Sequence, residues 1–267
     1  MKKKILVTGS GGFVLGNFVR KAIYEQNKKP MEDRDTFISV DSIMGDPKSI
    51  YANKNHVLHI ADVRNEHIID TIFQIEKPDI VIHGAAETFG SSMISSNVIG
   101  TQVIIEACLK HKVEKLLYIS TDKVYGNASD GNGGQYHFQE NDLLNPTTVY
   151  AASKAAGEMI VMGAGNEHGL IYNIARISNC YGQRQQPNKL IPKIIKCILD
   201  GIEIPLYRGG LNVRDWIHVA DNCSALLTIL ESGKENKIYN VSAGQDFTTL
   251  EVVHEICKYM TCGHNLI

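Results

Sequence analysis

Tyr150 and Lys154 are the residues of this sequence best placed to do chemistry. They lie four positions apart in Tyr150-Ala151-Ala152-Ser153-Lys154. On a helix such a pair shares one face and presents a phenol and an ammonium to the same pocket. A cation beside a tyrosine favours the phenolate and lowers its pKa. Tyr150 then becomes a base toward a sugar or alcohol hydroxyl near neutral pH. Pairs of this kind also arise by chance. This one follows Ile119-Ser120-Thr121-Asp122-Lys123-Val124-Tyr125-Gly126, where a hydrophobic strand ends on hydroxyls and an acid.

A second group of residues points to a dinucleotide. Gly9-Ser10-Gly11-Gly12-Phe13 follows a short apolar strand and opens a helix. Glycines there let the backbone approach a pyrophosphate, and the helix N-terminus favours its charge. The Gly9-x-x-Gly12 spacing fits, but Leu15 occupies the place of the third glycine and Gly16 comes one residue late, so a small displacement of the helix is expected. Asp41 ends the second strand, where a carboxylate bonds ribose hydroxyls and repels a 2′-phosphate, favouring NAD over NADP. Asp62, followed by Val63, ends the third strand and is expected to reach the adenine amino group. Taken singly, each acid reads equally as a cap or turn residue.

The elements that must position these residues alternate, as in βαβ units on a parallel sheet. Strands are expected at 4–8, 36–40, 56–60, 79–83, 115–119 and 170–177, and helices at 13–25, 65–76, 97–111 and 149–167. The fold class is therefore α/β, a Rossmann-type doubly wound parallel sheet. Residues 126–146 lack periodicity and read as a long loop of the active-site flap kind. Beyond Asn179 the spacing predicts helices at 190–199, 219–231 and 250–260, and strands at 204–207 and 237–241. Residues 1–178 form the expected NAD-binding domain. Residues 179–267 form a small expected substrate-binding region, interleaved with the sheet, its end read as either truncated or closed by another subunit.

A net charge of −2 gives no reason to expect a nucleic-acid or membrane surface. The apolar run after Met1-Lys2-Lys3-Lys4 is too short for a signal peptide, and no stretch approaches the roughly 20 apolar residues of a membrane span. Six scattered cysteines without metal-ligand spacing read as buried thiols of a reducing compartment, so the expected location is cytoplasmic and no metal is expected. His83 reads as a packed core histidine, His218 as structural and Trp216 as core. Asn127-Ala128-Ser129 has the form of a glycosylation sequon but carries no meaning in the cytoplasm.

The sequence resembles the extended short-chain dehydrogenase/reductase family, and within it the nucleotide-sugar 4,6-dehydratases of the dTDP-glucose type. The resemblance runs from Thr8-Gly9 to about Met260. It rests on Ala85-Ala86-Glu87, Asn97-Val98-Ile99-Gly100-Thr101, Ser120-Thr121-Asp122, Tyr150 to Lys154, Asn179-Cys180-Tyr181-Gly182, Lys189-Leu190-Ile191-Pro192, Arg214 to Asp221 and Tyr239-Asn240-Val241. It implies that Tyr150 takes the proton of the sugar 4-hydroxyl while C4 gives hydride to NAD. Asp122 would protonate the departing 6-hydroxyl, and hydride would return at C6. Thr121 would bond the 4-hydroxyl region, and Lys154 would hold the nicotinamide ribose. Ala85 and Ala86 would line the cofactor, and Glu87 the sugar. Asn179, Lys189, Leu190 and Arg214 would bind the nucleoside-diphosphate sugar, with Arg214 suited to phosphate. The helices 97–111 and 149–167 resemble those that pair family members into homodimers through a four-helix bundle.

Three departures accompany the resemblance. Lys123 stands where the dTDP-glucose enzymes carry a glutamate base for the C5 proton; dehydratases of CDP-glucose or UDP-N-acetylglucosamine carry Asp-Lys. A lysine acts as a base only when neutral, so its pKa must fall well below about 10.4. The segment between Glu87 and Asn97 is shortened, and the chain stops soon after the helix 250–260. Two other functions fit the same residues: a 4-epimerase, which would use Tyr150, Lys154 and NAD without Asp122, and a catalytically silent NAD-binding protein.

Overall fold

The computed structural model describes residues 2–42, 54–127 and 137–260. Seven parallel strands form the main sheet: β1 (Lys4–Thr8), β2 (Thr36–Asp41), β3 (His56–Ile60), β4 (Ile80–His83), β5 (Lys115–Thr121), β6 (Tyr172–Ile177) and β9 (Lys237–Val241). Their spatial order is β3-β2-β1-β4-β5-β6-β9. The chain therefore reverses direction across the sheet between β1 and β4, and a crevice opens at their carboxyl ends, where ligands bind in open α/β sheets.

Alternate residues of each strand feed opposite faces, and each face is covered by its own helices. On one face α2 (Glu66–Glu76), α3 (Gly100–Lys110) and α4 (Val149–His168) bury Ile69, Phe73, Ile104, Cys108 and Val161 against Leu6, Val81, Leu116 and Tyr118. On the other, α1 (Phe13–Gln26) and α6 (Val219–Ser232) bury Leu15, Phe18, Val19, Leu226 and Ile229 against Val7, Ile82, Leu117 and Ala175. Both faces being apolar explains the unbroken hydrophobic runs of the strands. Helix starts are set locally: Asn65 and Thr148 accept from the backbone N–H three residues on, at the heads of α2 and α4.

The sequence beyond Asn179 divides between two places. β9 and α6 join the main sheet, while β7 (Asn179–Tyr181), β8 (Val213–His218) and β10 (Asp246–Thr248) make a separate three-stranded sheet in the order β10-β8-β7. α5 (Leu190–Asp200) and α7 (Thr249–Tyr259) pack on each other through Ile194, Cys197, Val253 and Cys257.

Several expectations are corrected. No strand forms over 204–207. Pro205 has no N–H to give a ladder, and Gly209 and Gly210 adopt left-handed φ of 65° and 70°, so the chain makes a 3₁₀ turn over Tyr207–Gly210 while Ile204 fills the third core. The short strands β7, β8 and β10 were not expected. The helix expected from Asn97 begins with a π-helical turn, Ser95–Ile99, before α3. Strand β5 runs two residues further than predicted and carries Ser120 and Thr121. Part of the loop 126–146, the tail of the Asn127 sequon and Cys262 lie outside the described residues.

Helix α4 approaches β5 at Gly157. A β-carbon there would meet the Tyr118 hydroxyl and lie 2.7 Å from its Cζ. Alanine would gain helix propensity of up to about 1 kcal/mol but overpack a buried ring at a cost of about 1–3 kcal/mol. Gly157→Ala is therefore expected to lower stability by about 1–2 kcal/mol in denaturant unfolding, and an unchanged midpoint would contradict this packing.

Candidate active site

Gly9 leaves β1 with φ of 75°, and a β-carbon there would lie 2.7 Å from the Ala85 nitrogen and 2.8 Å from the Gly84 carbonyl. The ends of β1 and β4 thus approach more closely than any side chain permits. Gly12 precedes α1, whose first turn has neither a side-chain cap nor an acidic residue, so its N–H groups suit an anion. Phe13 begins that helix and packs at the edge of the core. Asp41 accepts from the Gly11 N–H at 2.8 Å, which brings its carboxylate to the rim of the glycine turn.

Leu15, at the missing third glycine, is buried, and it fits because residue 84 is glycine: a β-carbon there would meet Leu15 Cδ1 and lie 3.2 Å from its Cγ. The small residue that close helix–strand packing needs is on the strand instead of the helix. Asp62 is committed to Arg64, which donates to it from its backbone at 2.9 Å and from Nε at 2.9 and 3.0 Å. Those bonds hold its carboxyl below the usual range and place it in a partly exposed, ion-paired turn at the end of β3. Val63 is buried beneath Gly100, where a β-carbon would lie 2.7 Å from it.

A polar chain crosses the floor of the crevice. The Gly84 and Ala85 N–H groups donate to Thr8 Oγ1, which lies 2.7 Å from His83 Nδ1; His83 Nε2 lies 3.0 Å from Thr101 Oγ1. Thr101 spends its own hydrogen on the Asn97 carbonyl at 2.7 Å. His83 must then donate from Nε2 and accept at Nδ1, which makes it neutral, and burial drives its pKa down to about 3. This is the core histidine the sequence predicts. Ala85 and Ala86 follow it, half-buried.

Lys154 is buried on α4, its ammonium 4.1 Å from the centroid of the Tyr118 ring. It donates no hydrogen bond to a described residue. Burial pulls its pKa down to about 7, while Glu158, one turn further along, pulls it up. Tyr150 departs from expectation. Burial first, and then the Asp122 carboxylate, push its phenol up to about 12. No lowering by Lys154 offsets them.

Thr121 ends β5 and its hydroxyl donates to Asp122 Oδ1 at 3.0 Å, so it is turned toward the acid. Burial pushes the Asp122 carboxyl up, against the opposing pull of Lys123, the Thr121 hydroxyl and Arg214. Asp122, Lys123 and Arg214 line one cleft of about 440 Å³. Arg214 donates to the Val213 carbonyl at 2.7 Å and is otherwise exposed to that cleft. Asn179 donates to the Asp215 carbonyl at 3.4 Å, tying β7 to β8. Lys189 and Leu190 open α5 and are not among the cleft's lining residues.

Glu87 holds the shortened segment together: it accepts from Ser92 Oγ at 2.5 Å and Ser96 Oγ at 3.1 Å. Asn97 bonds both backbone groups of Glu87 and donates to Ser153 Oγ at 2.9 Å, while Ser153 donates to the Tyr150 carbonyl at 2.8 Å. The π-helical turn thus anchors the start of α4. Sequence reasoning missed two buried charges, Glu158 and Arg176. The i+8 position of Glu158 relative to Tyr150 was the signal that could have found it. His218 caps α6 through Nδ1, and Cys108, Cys197, Cys223 and Cys257 are buried thiols, in line with their structural reading.

Residues 5–242 match the NAD dependent epimerase/dehydratase family. The chain belongs to that family. It is 32% identical over 271 residues to a dTDP-glucose 4,6-dehydratase of an Actinoplanes species, covering 97% of this chain and 82% of the relative. Among solved structures, the dTDP-glucose 4,6-dehydratase of Bacillus anthracis in complex with NAD superposes with a TM-score of 0.91 at 32% identity, covering 99% of this chain and 83% of that one. The UDP-glucose 4-epimerase of Thermotoga maritima, with UDP-glucose, gives 0.86 at 25% identity over 99% and 84%.

The family's cofactor fits the residues present. The side-chain-free turn at Gly9, the uncapped start of α1, the Asp41 carboxylate and the buried ammonium of Lys154 line the crevice between β1 and β4 and its α4 side. Gly9→Ala would force a β-carbon into the Gly84–Ala85 peptide at a left-handed φ. It is expected to lower NAD affinity at least about tenfold in calorimetry, with a stability loss of about 1–3 kcal/mol; wild-type affinity would show that the turn does not meet the cofactor.

Proposed function

We propose that this protein converts a nucleoside-diphosphate hexose to its 4-keto-6-deoxy sugar by NAD-dependent dehydration. The observation that carries the reading is Asp122: a carboxyl kept protonated more readily than usual by burial, in a cleft with Lys123 and Arg214, and close enough to raise the pKa of Tyr150. An epimerase has no use for such an acid; dehydration needs one to protonate the departing 6-hydroxyl.

Bound NAD would supply a hydride acceptor for C4 of the sugar and a donor for C6. Tyr150 takes the 4-hydroxyl proton, and Lys154 orients the nicotinamide ribose with its ammonium. The 4-keto group acidifies the C5 proton, which Lys123 removes. Asp122 gives its proton to the 6-hydroxyl, which leaves as water, and Lys123 returns a proton to C5 when C6 takes hydride. Thr121 orients Asp122 through its hydroxyl. Arg214 and Asn179 take the diphosphate, with Lys189 and Leu190 toward the nucleotide and Glu87 toward the sugar. Asp41, Asp62, Gly9, Gly12, Phe13, Ala85, Ala86 and Val63 surround the dinucleotide. Protonating Asp122 serves two ends, since it supplies the acid and removes the charge that holds the Tyr150 proton.

Within the same reading, residues 1–178 bind NAD and 179–267 receive the sugar nucleotide, with β9 and α6 returned to the main sheet. The protein is cytoplasmic and a homodimer through α3 and α4. Exposed Ile99 beside the head of α3 and Met159 on α4, 53% and 49% accessible, support that pairing. No helix among the described residues is long and apolar enough to cross a membrane.

Two tests follow. Asp122→Asn is expected to lower kcat for water loss by about 10²–10⁴-fold with KM little changed. Lys123→Met is expected to stop exchange of the C5 proton with deuterated solvent. Retained dehydration in Asp122→Asn would sink the assignment. A further test uses Lys154, faced by Glu158 on its own helix, Tyr118 on β5, His83 on β4 and, through Glu158, Arg176 on β6. Its ammonium is present below pH about 7 and must be regained on binding above it. NAD affinity is therefore expected to fall about tenfold between about pH 6 and pH 8, and Lys154→Met to flatten the profile. A flat wild-type profile would contradict the role of Lys154.

A further inference from the structure

Arg176 and Glu158 form a fully buried ion pair, with Nη2 to Oε2 at 2.7 Å and Nε to both carboxylate oxygens at 3.1 Å. The remaining contacts of the guanidinium run outward. Nη1 donates to the Tyr125 hydroxyl at 2.7 Å and to the Glu140 carbonyl at 3.1 Å. Tyr125 passes its own hydrogen to Asn240 Oδ1 at 2.7 Å, and its ring stacks on Phe138 at 4.7 Å. Asn240 in turn donates from its side chain to the Phe138 carbonyl at 2.9 Å and from its backbone N–H to Glu140 Oε1 at 2.8 Å.

Arg176 therefore joins three segments distant in sequence, and through Tyr125 a fourth. Glu158 lies on α4, two turns beyond Tyr150 and one beyond Lys154. Tyr125 ends the turn that begins with Asp122 and Lys123. Glu140 and Phe138 form a wall of the cleft, and Asn240 lies on β9. Arg176, Tyr125, Phe138, Glu140 and Asn240 all line the cleft that holds Asp122, Lys123 and Arg214. A buried ion pair costs desolvation that an apolar pair would avoid, so stability alone does not account for it. A planar fork with fixed directions is suited to holding separate segments in register.

We infer that Arg176, with Glu158 and Tyr125, is a positioning strut that sets the Asp122–Lys123 turn and the 137–140 wall against the Tyr150–Lys154 face of α4. The strut acts through the groups it spaces. It rests on the dehydratase reading only for its kinetic consequence. The two reactive pairs act on neighbouring carbons of one sugar, and a displacement near 1 Å between such groups costs on the order of 10²-fold in rate.

Arg176→Lys keeps the charge opposite Glu158 but cannot reach both it and Tyr125 as a fork. Tyr125→Phe keeps the stacking on Phe138 and removes only the bridging hydroxyl. Both variants are expected to melt close to the wild type and to bind NAD within a few-fold of it, while kcat falls on the order of 10²-fold in Arg176→Lys and less in Tyr125→Phe. The double variant should be no worse than Arg176→Lys alone, because both changes cut one bridge. Amide hydrogen exchange, which needs no turnover, should quicken over 122–126 and 137–140 and stay unchanged within α4. Unaltered exchange over those residues, or equal losses in NAD affinity and kcat that add in the double variant, would overturn the strut. A wild type inactive on every sugar nucleotide would remove the dehydratase reading and leave the exchange result to decide the strut.

Discussion

The burial of two ionised side chains on one face of α4 constrains the rest of the molecule. Lys154 and Glu158 lie one turn apart, pressed against the sheet. Burying a charge is costly unless it is paired or shared. Glu158 is paired by Arg176 from β6, and Lys154 lies over the Tyr118 ring of β5. Neither arrangement survives a shift of α4 along the sheet. The helix is fixed at its head by the Asn97–Ser153 contact and at its middle by Gly157, where only a hydrogen fits against Tyr118. The position of Tyr150 follows from these restraints.

The same constraint gives the site its electrostatics. A buried ammonium with no hydrogen-bond acceptor among the described residues titrates near neutrality, and a buried phenol beside a carboxylate holds its proton tightly. Neither group is in its reactive state by default. The carboxyl that raises Tyr150 is itself raised by burial, so the state in which Asp122 can donate is the state in which Tyr150 is easiest to deprotonate. Electrostatic coupling of an acid and a base in this way favours one productive proton distribution over the alternatives.

Much of this was legible in the sequence because it is written in local periodicity. The alternating strands and helices, the glycine turn after β1, Asp41 at the end of β2 and the Tyr150–Lys154 face each depend on residues close together in the chain. What was not legible depends on partners far away. Leu15 looked like a fault in the glycine turn until Gly84, just past the end of another strand, proved to be the residue that makes room for it. The pairing of Asp62 with Arg64 has no local period to announce it. The lowering of Tyr150 expected from Lys154 failed because spacing on a helix says nothing of desolvation. Glu158 and Arg176 carry no local pattern as a pair. The strands β7, β8 and β10 mix polar with apolar residues and are mostly half-buried, so no apolar run marks them.

The central claim is the loss of water from a sugar nucleotide. The most direct measurement incubates the pure protein with NAD and, separately, dTDP-glucose, UDP-glucose, CDP-glucose and UDP-N-acetylglucosamine, and weighs the products by mass spectrometry. The account predicts a product lighter by one water from one of these substrates, with NAD unconsumed. Unchanged mass in all four, and above all an isomer of the same mass separable by chromatography, would contradict it.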